Sequence, residues 1–147
     1  MFELLSTVAH LTLAASWMGS MAYSLTVVQP KVASFLPDEQ RREEFLVTLA
    51  HGNRRKVVGL VAALLLTGVA VIVSSAGAKV VGYAAALVLY AGAAGIFAHV
   101  SWRHWPARVF ALPPELAGFR RRLRLLATTM LALVGAGFVV TLTVSVA

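Results

Sequence analysis

The sequence predicts an all-α integral membrane protein: one four-helix transmembrane bundle with both termini outside. Three observations carry this. Hydrophobic residues make up 59% of the chain and charged residues only 13%, with a mean hydropathy of +0.81. A soluble domain of this length has no interior large enough to hide so much apolar surface. The apolar residues gather in four runs free of Asp, Glu, Lys and Arg, each long enough for the about 20 residues a helix needs to cross the hydrocarbon. The cations lie between the runs, where they act as topology signals. The formal net charge of +7 is therefore read as orientation. The bilayer is the expected partner, and nucleic acid is set aside.

The runs are 4–30, 57–78, 80–102 and 125–147, within a single domain over 1–147. No β-barrel alternation competes with them. The first run lacks a basic lead and a polar-shouldered cleavage site, so it is expected to be a retained helix. The first connection carries Lys31, Arg41, Arg42, Arg54, Arg55 and Lys56, and the third carries Arg103, Arg108, Arg120, Arg121, Arg122 and Arg124. The second holds only Lys79. Both basic connections are thus expected in the cytoplasm, with Arg54, Arg55, Lys56, Arg120, Arg121 and Arg122 at its interface.

Within the first connection, Asp38 is placed to cap a short helix from DEQRREEF onward, acidic at its start. That helix is expected to lie at the interface or to extend the second span, with Gly52-Asn53 breaking or kinking it. Pro106, Pro113 and Pro114 predict a partly irregular third connection. Small residues four apart, Ala91 with Gly95 and Ala94 with Ala98, suit close helix contacts.

The chemistry is sparse. There is no cysteine, and no acid lies inside a run. No nucleophile, zinc-protease or phosphate-loop motif is present, so catalysis without a cofactor is not expected. An ionisable residue within a span is a site candidate, and His10 is one. His10, Trp17, Met21 and Val28 share a helical face, with Met18 adjacent. Imidazole with thioethers suits Cu(I); the alternative is a His10 bonded to a neighbouring helix, with Met18 and Met21 filling gaps. On the third run, Gly92, Gly95 and His99 share a face that would leave room for a haem b beside an axial histidine. His10 and His99 differ in depth by roughly 15–20 Å, too far for one metal ion. Trp102, Arg103, His104 and Trp105 read as an interfacial aromatic–basic belt, and His51 as a residue at the water boundary.

The first run, His10 to Trp17-Met-Gly19 and on to Pro30, resembles the opening of CopD-type membrane proteins. Arg54-Arg55 leading to Leu66-Thr67-Gly68, and the basic stretch from Arg120 to Arg124, add to the likeness. The resemblance implies copper uptake or resistance in a bacterial inner membrane, as a multi-pass protein. Only His10, Trp17 and Gly19 carry over, with His10 as ligand. A weaker likeness, through His10, Trp17 and Tyr23, is to HemJ-type haem proteins. The alternative is a non-catalytic accessory subunit of a larger membrane complex, or a homo-oligomer, with structural histidines.

Overall fold

Residues facing inward recur at alternating steps of three and four along every run, the seam of near-parallel helices. The computed structural model describes residues 1–147, the side chain of Pro113 excepted. It holds four long helices: α1, Phe2–Phe35; α2, Glu39–Ser74; α3, Ala78–Val109; and α4, Leu116–Val146. The seam of α2 is Val61, Leu64, Gly68 and Val71. That of α3 begins Tyr83, Ala86, Tyr90 and Ala93. Met130, Val134, Gly137 and Thr141 form that of α4. On α1, His10, Ala14, Trp17 and Met21 are buried; of the face expected from the sequence, His10, Trp17 and Met21 turn inward, while Val28 is half-buried.

Each helix packs on its sequence neighbours, and α1 also packs on α4, closing an up-down ring. All four are apolar enough to cross a membrane, yet only 17–22% of each apolar stretch is buried. Large apolar side chains such as Leu66, Val73, Val88, Leu125 and Val139 point outward. Helices apolar all round suit lipid on the outside. Because lipid is as apolar as the interior, helix contacts rest on packing and hydrogen bonds.

The helices run longer than the apolar runs predict. α1 does not leave its helix at Pro30. Proline has no N–H and its ring presses on the carbonyl four residues back, and the chain answers with a π-helical turn over Ser24–Val28. α3 passes Pro106 in the same way, after a π-turn over Val100–His104. The expected interfacial helix is an extension of α2, and Gly52-Asn53 neither breaks nor ends it. Asp38 caps α2 as expected, its Oδ1 accepting from the Arg41 N–H at 3.1 Å. Leu36, in front of Pro37, leaves the helical region, at φ −111° and ψ 87°. Gly77, at φ +62°, turns the chain between α2 and α3, a conformation that favours glycine.

The two ends differ. Gly82 near the start of α3 lies against Val144 near the end of α4. At the other, basic end, Glu39 and Glu43 of α2 meet Arg120 of α4 and Arg108 of α3.

Candidate functional site: a basic-mouthed cavity

His10 sits in the tight half. Its Nδ1 lies 3.1 Å from the Leu64 carbonyl and 3.0 Å from Thr67 Oγ1 on α2. A carbonyl only accepts, so Nδ1 carries the proton and donates. Tyr90 meets the imidazole edge-on at 5.1 Å between centroids. A Cβ on Gly68 would lie 3.1 Å from His10 Cε1, so Gly68 is what lets α2 come this close. His10 of the first run and Thr67-Gly68 of the second thus meet in one interhelical contact.

The other expected ligands do not join it. Met18 Sδ faces α4, 3.7 Å from where a Cβ on Gly135 would be. Met21 lies three turns along α1, roughly 16 Å from the level of His10. His99, Gly92 and Gly95 are exposed on the outer face of α3, so no inward haem pocket forms beside them. That face looks outward because the α3 seam passes through Tyr90 and Ala93 instead. Gly19 is exposed as well, while Trp17 is buried in the core. Among the described residues, no three His, Asp, Glu or Cys side chains cluster as a metal site.

What the helices do enclose is a cavity of about 940 Å³ in the basic half, open rather than sealed. Both proline-linked π-turns border it, through Ser24, Leu25 and Val28 on one side and Val100 and Ser101 on the other. A π-turn widens the helix locally, and such turns recur at functional sites. The floor is apolar: Trp17, Met21, Leu60, Phe97 and Met130. Trp17 meets Phe97 edge-on at 6.5 Å, and Phe97 meets Trp102 at 6.2 Å. Arg54 stands over Trp102, on the outer side of α3, at 5.7 Å.

The mouth is cationic. Arg42, Arg54, Lys56, Arg108, Arg120 and Arg124 all line the cavity. Of the predicted interface cations, Arg54, Lys56 and Arg120 belong here, while Arg55, Arg121 and Arg122 are exposed and outside the lining. Two carboxylates offset the charge. Glu43 Oε1 accepts from Arg108 Nη2 at 2.7 Å, with Arg120 Nη1 3.5 Å away. Glu39 pairs with Arg120, and Arg42 stands 3.8 Å off. Glu39 lies well before the apolar part of α2. The hydrogen bond from Arg120 and that guanidinium's charge hold its carboxyl below the ordinary value.

Arg108 and Glu43 are the residues that sequence reasoning missed. The expected aromatic–basic belt is split by helix register. Trp102 and Arg103 face outward, whereas His104 and Arg108 are buried. The signal was present: from Ser101, at the end of the apolar run of α3, His104 and Arg108 continue the three-and-four seam beyond that run. The Arg108 side chain is only 1% exposed. It lies 5.0 Å from the Trp105 ring. Among the described residues, its Nε and Nη1 have no protein partner, and neither does His104 Nε2.

No family model, curated protein or solved structure matches the chain.

Proposed function

We propose that this chain is a multi-pass membrane protein that binds, without transforming, an amphipathic small molecule in the basic-mouthed cavity, with that end in the cytoplasm. The carrying observation is the cavity's two-part lining, an apolar aromatic floor beneath a ring of cations. Ligand sites in membrane bundles lie between helices, with an apolar body and a few placed polar groups. No paired acid and base stands in the cavity, which supports binding over catalysis. The orientation rests on the basic connections. Copper does not enter this reading, since no group of metal-ligating side chains gathers about His10 among the described residues. Haem through His99 does not either, since His99 lies outside the cavity lining.

The test uses a chain that keeps Trp17 as its only tryptophan, with Trp102 and Trp105 changed to Phe. In phosphatidylcholine nanodiscs, amphiphiles with brominated acyl chains should quench Trp17 saturably. Ala127→Phe, which fills the half-buried lining of α4, should abolish the saturable part. Quenching that is linear in probe and indifferent to Ala127→Phe would remove the proposal.

A second reading, the accessory subunit or homo-oligomer, is favoured by the exposed small-residue face of Ala91, Gly95 and Ala98 on α3. Cysteine cross-linking from Gly95 in native membranes tests it. No cross-linked species above the monomer would count against it.

A further inference from the structure

The identity of the ligand's head can be read from Arg108, given the amphiphile-binding reading above, on which this step rests. A guanidinium has five N–H donors. Glu43 engages Nη2 alone, and the three N–H groups on Nε and Nη1 meet no protein acceptor among the described residues. Buried charged donors without acceptors are costly, so a native structure that retains them calls for a partner. Arg108 is 97% out of solvent by its 3% residual exposure, and it lines the cavity. His104 Nε2, one turn back, is likewise buried without a partner.

The surrounding charge says what kind of partner. Six cations line the mouth, and the carboxylates beside them are those of Glu39 and Glu43, an excess of four positive charges. Arg54, Lys56 and Arg124 have no carboxylate within ion-pairing distance among the described residues. A single carboxylate brings one charge and two oxygens, and Glu43 already supplies that to Arg108. A phosphate monoester brings about two charges and three strong acceptor oxygens. It can meet the free donors of Arg108 while the other cations of the lining add attraction at longer range, and arginine is suited to such recognition. The floor below, Trp17, Met21, Leu60 and Met130, takes a hydrocarbon chain.

We infer that the cavity binds a phosphate-monoester lipid of the cytoplasmic leaflet, its head on Arg108 within the positive field of Arg54, Lys56 and Arg124 and its chain against Trp17 and Met21. Glu43 is a positioning residue that holds Arg108 in the cavity wall and does not touch the ligand.

The full chain, with Trp17 as its only tryptophan, is tested in phosphatidylcholine nanodiscs. The probes are lysophosphatidic acid and monoacylglycerol with the same brominated acyl chain, and inorganic phosphate alone. Lysophosphatidic acid should bind at least tenfold more tightly than monoacylglycerol. That preference should fall below threefold in Glu43→Gln/Arg108→Gln, which exchanges both charges together. Arg54→Gln/Arg124→Gln, which breaks no ion pair, should cut the preference at least threefold and supplies the answer if the first variant does not fold. Inorganic phosphate up to millimolar levels should not displace the lipid. Equal binding of the two lipids overturns the inference and leaves amphiphile binding standing. Binding of neither lipid overturns the amphiphile reading itself. A preference that survives in both variants shows that ordered water, not a lipid head, satisfies Arg108. Displacement by inorganic phosphate assigns the site to a soluble phosphate and overturns the lipid source.

Discussion

At the level of His10 and Tyr90 the four helices touch; at the level of Arg108 the same four helices stand apart around about 940 Å³ of space. The apolar character of the runs does not explain the difference. Both halves are membrane-like, and both follow the same inward seam. The difference lies in what the seam carries. In the tight half it carries Gly68, Ala86 and Gly137, and the ring of Tyr90 lies where a Cβ on Gly137 would be, at 2.9 Å. In the open half it carries Met21, Val100, His104 and Arg108, and each of α1 and α3 is loosened by a proline-driven π-turn. Small inward residues draw helices together in lipid, where packing is the main attraction. Bulky and charged ones, with bulges, hold them apart. The two halves therefore fail in different ways when changed.

The largest effect is expected in the open half. Glu43→Ala leaves the Arg108 guanidinium buried without its counter-charge, and removing one partner of a buried pair costs about 3–5 kcal/mol. Reversible unfolding in mixed detergent micelles reads this directly, and a loss under about 1 kcal/mol would mean the pair is solvated. Next comes the tight half. Gly137→Val forces a branched side chain against the fully buried Tyr90 ring, a crowding worth about 1–3 kcal/mol. Gly95→Val, where nothing stands within 4 Å of the Cβ position, should change stability by less than about 0.5 kcal/mol. If the two glycine variants behaved alike, the contrast between inward and outward small residues would collapse.

That contrast also marks how far the sequence could be read. The four spans, their order and the buried face of α1 were legible, because helix period and bilayer thickness act on every residue. The Asp38 cap was legible because the signal is local. The length of α1 and α3 was not: a proline reads as an exit, and only tertiary packing shows that a π-turn carries the helix through it. Small residues four apart at Ala91 and Gly95 looked like a contact, yet they face outward. Gly68, Gly82 and Gly137 make the contacts instead, set by which side of each helix the seam selects. Arg108 was hidden for a related reason. A cation just past an apolar run is read as a surface anchor, and its place on the seam shows only when the period is carried beyond the run.

A smaller effect belongs to the interhelical bond of the tight half. Thr67→Val keeps the shape but removes the hydroxyl 3.0 Å from His10 Nδ1. The Leu64 carbonyl remains as acceptor, so the loss should be about 0.5–1.5 kcal/mol, toward the low end in a membrane protein. Unfolding of Thr67→Val beside His10→Ala and the double variant forms a cycle that isolates the pair. Strict additivity across it would mean the hydroxyl and the imidazole do not interact.

The smallest effect lies at the rim of the open half. Glu39 is exposed, and its carboxyl is held below the ordinary value of 4.5 by the hydrogen bond and charge of Arg120. A depressed carboxylate stabilises the fold above its unfolded value and loses that contribution as pH falls through the folded one. The tie between the starts of α2 and α4 should therefore be intact at neutral pH and fade only below about pH 4.5. Other acids titrate in the same range, so the readout is the difference in melting temperature between the wild type and Glu39→Gln. That difference should be small and constant from about pH 7 to pH 5, then shrink toward zero as acid is added. A difference that instead grew on acidification would mean that Glu39 is strained in its charged form. The rim pair would then oppose the closing of the mouth rather than hold α2 and α4 together there.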